Sequence, residues 1–406
     1  MDRRVVITGI GVVTPLGVGR ERVWGRLLAG HSGVGPVRSF DATGYRVNRA
    51  AEVADFRPAD YVRRLDPARL GRASQFAVAA ARLALADAAA ADLPWDPVRV
   101  GVFLGTTSGE PGVVERFDDG VLAGGPDGTG PDLTFRYPSH VLAAHVAAEL
   151  RAGGVNAVLP AACAAGNYAV AFAADALRAG RADVVLAGSA DAFSRITYAG
   201  FARLGAIAPD RCQPFDRNRK GMVPGEGAAV LVLERAADAA RRGARPFAEV
   251  AGHGLTCDAH HATSMHPDGR GAARAMALAL EESGVRPAEV GYISAHGTGT
   301  PTNDRVETLA IKRVFGDAAY RVPVSSVKSM LGHAMGAASA IEAAVCALAV
   351  ATGHIPPTIN LDDPDPECDL DYVPHAARAC PVTVAVNNAY GFGGANSSLV
   401  LRSCGA

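Results

Sequence analysis

The chain has 406 residues, 49% of them hydrophobic and 20% charged, with a formal net charge of −1. This is the composition of a globular protein with a large core, long enough for two to three domains or one large duplicated domain. The absence of a basic stripe or an acidic tail argues against nucleic acid as a partner.

The first fifteen residues begin charged and turn apolar, but glycine, threonine and proline break the run. No small-x-small cleavage pattern closes it, so it reads as a buried first strand rather than a secretion signal. Short β-branched runs then alternate with alanine-rich helical patterns, which indicates an α/β fold with buried strands. Strands are expected at 5–8, 98–104, 156–159, 184–188, 228–234, 248–252, 292–294, 322–325, 383–387 and 397–401. Helices are expected at 69–91, 139–151, 166–179, 272–283, 303–314 and 336–352. Asn303 and Asp304 read as caps for the helix after the Thr300-Pro301 turn. Loop-rich stretches at 108–137, 205–225 and 256–271 read as surface insertions or site walls.

The apolar stretch at 341–352 is too short to span a bilayer. Seven cysteines, an odd number with no Cys-x-x-Cys pair, argue against a disulfide framework or a zinc site and fit a reducing compartment. A soluble, cytoplasmic protein is expected. Of forty basic residues only Lys220, Lys312 and Lys328 are lysine. For Lys328, which shares a motif with a histidine, a compact ammonium suits a role that guanidinium does not.

Cys163 lies in Pro160-Ala-Ala-Cys-Ala-Ala-Gly-Asn167, between an apolar run and a long helical pattern. A strand feeding a tight turn presents this thiol at a helix N-terminus, where unpaired N–H groups and the helix dipole make a thiolate easier to form. Gly166 allows another group to approach closely. Read alone, the residue fits a nucleophile or an inert buried cysteine; the other six read as structural.

His296 follows an apolar strand and opens His296-Gly-Thr-Gly-Thr300, at a strand end where sites on open sheets tend to lie. The hydroxyls of Thr298 and Thr300 are available to a polar ligand. Lys328 and His333 bracket Lys328-Ser-Met-Leu-Gly-His333, just before a long helix. A cation near a histidine lowers its pKa and keeps the imidazole neutral. Two neutral imidazoles aimed at one oxygen suit a developing enolate, and such prearranged donors are worth roughly 3–4 kcal/mol each. The segment Asn387-Asn-Ala-Tyr-Gly-Phe-Gly-Gly-Ala-Asn396 reads either as a flexible oxyanion-binding loop gated by Phe392 or as a tight strand-to-strand connection. Cys163-turn-helix in the first half is echoed by Lys328-x-x-x-x-His333-helix in the second, a rhythm that suggests a duplicated architecture with the site at the join.

Together these segments resemble the β-ketoacyl-acyl carrier protein synthases, close to the synthase II type, within the thiolase superfamily and with the type II polyketide ketosynthases in range. The likeness runs through Val5-Val-Ile-Thr-Gly-Ile-Gly-Val-Val-Thr-Pro-Leu-Gly17, Pro214-Phe-Asp-Arg-Asn-Arg-Lys-Gly221 and Gly225-Glu-Gly-Ala-Ala229. It continues through Pro356-Pro-Thr-Ile-Asn-Leu-Asp-Asp-Pro-Asp365 to Gly391-Phe-Gly-Gly-Ala-Asn396. The resemblance implies an α/β, thiolase-like duplicated αβαβα layered fold with central mixed sheets. One half, 1–245, would carry the nucleophile and the other, 246–406, both histidines.

The resemblance also implies roles. Cys163 takes an acyl chain from an acyl carrier protein, and His296 and His333 promote malonyl decarboxylation. Lys328 orders the site with Glu307, in Asp304-Arg-Val-Glu307, as its carboxylate partner. Backbone N–H groups of Cys163 and Phe392 form an oxyanion hole, Thr298 and Thr300 contact the phosphopantetheine arm, and Asn167 joins them in binding substrate. No cofactor or metal is implied, and dimerisation, with itself or with a related chain-length subunit, is the family norm. Arg63, Arg64, Arg69 and Arg72 form either a basic docking face for an acidic carrier protein or a merely solvated surface.

One departure concerns the nucleophile's neighbours. The family commonly has Thr-Ala-Cys-Ser-Ser-Gly, whereas this chain has Ala161-Ala-Cys-Ala-Ala-Gly-Asn-Tyr168. Lost hydroxyls and the gain of Asn167 and Tyr168 favour a specialised polyketide or unusual-acyl pathway over housekeeping fatty-acid elongation. A chain-length or scaffold subunit is a rival reading, but such proteins resemble synthases whose cysteine is replaced. A non-condensing acyltransferase is another, though simple acyl transfer has no need of an enolate site.

Overall fold

In the computed structural model, which describes residues 3–125, 130 and 133–405, ten strands lie side by side along one hydrogen-bonded path. The first five are β1 (Val5–Thr14), β2 (Val100–Gly105), β3 (Asn156–Leu159), β4 (Val184–Asp191) and β5 (Gly227–Arg235). The next five are β6 (Ala248–Cys257), β7 (Tyr292–Ser294), β8 (Val324–Ser325), β9 (Val384–Tyr390) and β10 (Ala395–Arg402). Their order across the sheet is β3-β2-β4-β5-β1-β6-β10-β9-β7-β8.

Cut between β1 and β6, this order yields two halves of identical design. In each, the first strand sits at the join and runs antiparallel to the fifth, and the fifth runs antiparallel to the fourth. The fourth, second and third strands then run parallel. The halves meet where Val5–Ile7 pairs antiparallel with residues 248–250. The duplication is thus a repeated topology, although the two sequences share only a rhythm.

Six long helices complete the layers: α1 (Arg72–Asp87), α2 (Val141–Leu150), α3 (Ala165–Arg178), α4 (Arg270–Ser283), α5 (Pro301–Phe315) and α6 (Gly336–Thr352). Helices α1 and α2 cover one outer face, packing Phe76 and Leu142 on Val102, Leu186 and Val230. Helices α4 and α5 cover the other, with Met276 and Ile311 against Ile293 and Val400. Between the sheet halves lie α3 and α6, with Val170 and Ile341 in a core that also holds Ile7, Leu231 and Leu399. This is an αβαβα layering. Helix α6 is buried from Gly336 to Ala349, so its apolar run is that of a core helix. Among the described residues no helix is long and apolar enough to cross a membrane.

Strand β1 runs through Gly9 and Gly11, beyond where the sequence pattern ends it. A β-carbon on Gly9 would stand 2.1 Å from the Ala84 carbonyl oxygen, and one on Gly11 1.9 Å from that of Ala80. The glycines admit α1 rather than end the strand. Strand β6 repeats the device: β-carbons on Gly252 and Gly254 would stand 2.6 Å and 1.9 Å from the carbonyl oxygens of Ala279 and Ala275 on α4.

Among the described residues, three helices of nine residues or more lie where no helix was expected: Arg20–Leu28, Pro111–Gly124 and Arg195–Arg203. The second occupies much of the stretch expected as loop at 108–137; residues 126–129 and 131–132 of that stretch, like residues 1–2 of the expected first strand region, lie outside the described residues. The cap of α5 is Thr300, with Pro301 at the first helical position. Asn303 and Asp304 instead sit inside the first turn, where the Asp304 carboxylate accepts from the N–H groups of Phe215 (2.8 Å) and Gly299 (3.2 Å).

Candidate active site

Strand β3 ends at Leu159, and the chain turns through Ala162, whose φ of +47° lies in the left-handed region that non-glycine residues rarely enter. Cys163 follows in a single 3-10 turn that leads into α3. The strand, turn and helix start read from sequence are therefore present. Gly391 presses on this elbow from the second half: a β-carbon there would lie 3.1 Å from the Ala161 oxygen and 3.2 Å from the Cys163 nitrogen. Gly166 plays the close-approach role read for it, since a β-carbon would meet the Ala340 nitrogen of α6 at 2.4 Å.

The second half supplies the partners. His333 follows Gly332, which takes φ +66°, and its Nε2 lies 3.2 Å from the Cys163 Sγ. His296 stands just beyond β7, its ring edge-on to that of His333 at 5.5 Å between centroids. Cys163, His296 and His333 are all buried. Lys328, 1% exposed, forms an ion pair with Glu342 of α6.

Glu307 is therefore not the carboxylate that pairs with Lys328. It accepts the backbone N–H groups of His296 and Gly297, each at 2.8 Å, and so fixes the loop that carries His296. Asn167 is likewise displaced from its expected place. Four residues past Cys163, its side chain points into the join, donating to the Asn387 carbonyl and the Ser397 hydroxyl (3.2 Å each). It accepts from the Asn387 amide at 2.8 Å and does not line the cavity. Thr298 and Thr300 do line it, with their hydroxyls 2.9 Å apart.

Burial dominates the electrostatics. It pushes the Cys163 thiol up to about 12, with the Lys328 ammonium pulling the other way and Asp191 adding to the rise. The readily formed thiolate expected from the helix start is thus overturned by desolvation. Burial first and Lys328 second hold His333 well below its usual range. The same two causes act on His296, with His333 as a further contribution. Both imidazoles are neutral. Burial lifts Glu307 to about 8 against its two backbone hydrogen bonds, and lifts Glu342 to about 7 against the attraction of Lys328.

The donor atoms of Cys163, His296 and His333 all lie within 4.8 Å of one another. Zinc accepts donors of this kind, but the Lys328 ammonium bears on all three and opposes a dication. A second set, Asp175, His253 and Glu282, is already tied to Arg178, which reaches both carboxylates.

The site opens into a cavity of about 330 Å³ whose apolar wall includes Phe201, Leu204, Met222, Met265 and Phe392. Phe392 is 40% exposed and its ring sits 5.7 Å from that of Phe201. The glycine-rich segment is a turn between the antiparallel strands β9 and β10, and it also carries Phe392 to the cavity.

A buried thiol at a strained elbow, two neutral imidazoles and a buried lysine thus meet at the head of one cavity. The families described as "Beta-ketoacyl synthase, N-terminal domain" and "Beta-ketoacyl synthase, C-terminal domain" match residues 2–239 and 247–362. The chain belongs to the β-ketoacyl synthase family. This synthase is 40% identical over 407 residues to 3-oxoacyl-[acyl-carrier-protein] synthase 2 of Synechocystis sp., covering 98% of each chain. It is 45% identical to the oxytetracycline polyketide putative beta-ketoacyl synthase 1 of Streptomyces rimosus, covering 99% of this chain and 98% of that one. Among solved structures it is similar to the ishigamide ketosynthase/chain length factor, with 44% identity, a TM-score of 0.96 and complete coverage of both chains. It is also similar to the AntDE:AntF structure, a type II polyketide acyl-carrier protein in complex with its ketosynthase, at 34% identity and a TM-score of 0.91, covering 99% of this chain and 100% of that one.

Sequence reasoning missed several residues that hold the synthase's site together. Glu342 neutralises Lys328, and the Ser339 hydroxyl accepts the Gly166 N–H (3.0 Å) at the start of α3. Asp191 gathers the Thr106 hydroxyl (2.8 Å) and the N–H groups of Thr107 (2.9 Å) and Ser108 (3.2 Å) close enough to bear on Cys163. All four arginines read as a docking face are exposed, but Arg72 is committed to Glu226 at 2.7 Å.

Proposed function

We propose that this synthase joins a Cys163-bound acyl chain to malonyl-acyl carrier protein by decarboxylative Claisen condensation, in a specialised polyketide or fatty-acid pathway. The observation that carries the reading is the 3.2 Å contact between the Cys163 thiol and neutral His333, with His296 beside them. In the first half-reaction Sγ attacks the acyl thioester of the carrier. The thiol proton passes through His333 to the departing phosphopantetheine sulfur, leaving acyl-Cys163 and a free carrier thiol. In the second, malonyl thioester loses carbon dioxide, and the N–H groups of His296 and His333 stabilise the enolate oxygen. The enolate carbon then attacks the acyl carbonyl. The N–H groups of Cys163 and Phe392 hold the tetrahedral oxyanion, and collapse expels the Cys163 sulfur, which takes up one proton. The product is β-ketoacyl-carrier protein.

Burial first and Lys328 second keep both imidazoles neutral, while Glu307 holds His296 in place from behind. Thr298 and Thr300, on the cavity wall, meet the phosphopantetheine arm. Every step is a group transfer or a decarboxylation, so the electron balance calls for no redox cofactor. Of the four arginines read as a docking face, Arg63, Arg64 and Arg69 have no ion pair among the described residues and would meet an acidic carrier protein in the cytoplasm. The similar structures that pair a ketosynthase with a chain length factor or a carrier protein support the same partners here. The alanines flanking Cys163 and the likeness to a polyketide synthase support a specialised pathway over housekeeping elongation.

Intact-mass analysis with a panel of acyl-carrier proteins, followed by malonyl-carrier protein, tests the scheme. A Cys163 acyl adduct should form and then discharge as β-ketoacyl-carrier protein. An adduct that malonyl-carrier protein never discharges would sink condensation, and so would a Cys163→Ala variant that still condenses.

A further inference from the structure

Tyr390 carries a hydrogen-bond donor with no acceptor. It ends β9, one residue before the Gly391 that presses on the nucleophile elbow, and it is 3% exposed. Its hydroxyl oxygen is buried and makes no hydrogen bond among the described residues. The ring packs edge-on to His296, with centroids 5.6 Å apart at 68°, and the residue lines the same cavity as Cys163, His296 and His333. A buried hydroxyl without a partner is costly to a fold, and phenylalanine would fill nearly the same volume without that cost. Such a group fits a site in which a bound molecule supplies the missing partner. Burial, with Glu307 and Asp258 nearby, holds the phenol well above its usual range, so it remains a neutral donor.

The malonyl unit brings an acceptor of the right kind. Its carboxylate enters the cavity charged, while the buried ammonium of Lys328 is already paired with Glu342. We propose that the Tyr390 hydroxyl donates a hydrogen bond to the malonyl carboxylate beside His296, as a third neutral donor that binds and orients the extender unit. The assignment rests on the condensation reading above. It places Tyr390 on the extender side, whereas the acyl carbonyl faces the backbone donors of Cys163 and Phe392. No bond forms or breaks at Tyr390. The hydrogen bond holds the carboxylate so that the electrons of the breaking carbon–carbon bond flow into the thioester carbonyl as carbon dioxide leaves.

The test compares wild type with Tyr390→Phe, which removes the oxygen alone, in acylation, condensation and melting experiments. With malonyl-carrier protein as the probe, KM should rise about 10- to 100-fold, the worth of one hydrogen bond to a charged group. The rate of Cys163 acylation should be unchanged. The melting temperature should hold or rise, because an unpartnered polar atom has been removed, whereas a purely structural tyrosine would lower it. An unchanged malonyl KM overturns the proposal, as does acylation that falls in step with condensation. A wild-type enzyme that acylates but never condenses removes the underlying reading and this proposal with it. A condensing wild type whose variant keeps the original KM removes this proposal alone.

Discussion

The Sγ of Cys163 and the Nε2 of His333 lie 3.2 Å apart although 170 positions separate them in the chain. Each is delivered by a turn with left-handed backbone, at Ala162 and at Gly332, and the two turns belong to opposite halves of the duplicated fold. The thiol is pushed up to about 12 by burial, and the imidazole is held well below its usual range. The contact therefore joins a neutral thiol to a neutral imidazole rather than a thiolate to an imidazolium.

That protonation state predicts how Cys163 reacts with iodoacetamide. Far below the thiol pKa the thiolate fraction grows with hydroxide, so the alkylation rate should climb about tenfold per pH unit across the neutral range. It should show no levelling near the ordinary cysteine value of about 8.5. A rate that stays flat from mildly acid to neutral pH would instead reveal a preformed ion pair, and the neutral contact would be wrong.

Lys328 and Glu342 form a buried ion pair at the root of the site. Lys328→Met should cost roughly 3–5 kcal/mol at mildly alkaline pH, because it strands a buried carboxylate. The cost should shrink in acid. Glu342 already has a raised folded-state pKa of about 7, and losing the ammonium raises it further. A carboxyl with a raised folded pKa burdens the fold only as pH climbs above its unfolded value, about 4.3. Denaturant titrations of this variant at acid and alkaline pH should therefore diverge. The double variant Lys328→Met/Glu342→Leu should recover most of the stability at alkaline pH without recovering condensation. Equal losses at both pH values would argue against the stranded carboxylate.

The residues at the tips of turns were legible because turns announce themselves locally. Cys163, His296, Lys328 and His333 each stand beside a glycine or a cluster of small residues that ends one element and starts another. Their supporting partners were not legible, because support comes from across the join. Glu342 lies in an alanine-rich helix that reads as plain core; the signal was there, since one carboxylate in a buried apolar helix demands a cation. The resemblance gives Glu307 to Lys328, yet its partners are the backbone N–H groups of His296 and Gly297, which no sequence pattern displays. The thiolate expectation failed for a related reason: a helix start is visible in sequence, whereas complete burial of the thiol is not. The expected strands stop at 8 and 252, short of the observed ends of β1 and β6, because the reason for glycine within them lies on α1 and α4.

Asn167 separates a neighbour in sequence from a neighbour in the cavity. It is fully buried, and its amide pairs with Asn387 to tie α3 to β9 across the two halves. Asn167→Ala should leave the Asn387 amide short of one partner and cost about 1–3 kcal/mol in chemical denaturation. The preference of Cys163 for one acyl-carrier protein over another should not move. A changed acyl preference at unchanged stability would return Asn167 to the substrate pocket.

The repeated glycine pairs predict matched sensitivities in the two halves. A β-carbon on Gly11 or on Gly254 would meet a helix carbonyl at 1.9 Å in either case, Ala80 on α1 or Ala275 on α4. Backbone cannot yield as a side-chain tip can, so Gly11→Ala and Gly254→Ala should each force their helix off the strand. The expected loss is about 1–3 kcal/mol, the usual range for overpacking, and similar at the two sites. Gly25 supplies the contrast. It lies in the exposed interior of the helix Arg20–Leu28 with nothing within 4 Å of an added β-carbon, so Gly25→Ala should stabilise by roughly 0.5–1 kcal/mol. Thermal melts of the three variants test the comparison. A tolerated Gly11→Ala beside a damaging Gly254→Ala would mean that the halves share a strand order but not the close helix-on-strand packing that the glycines permit.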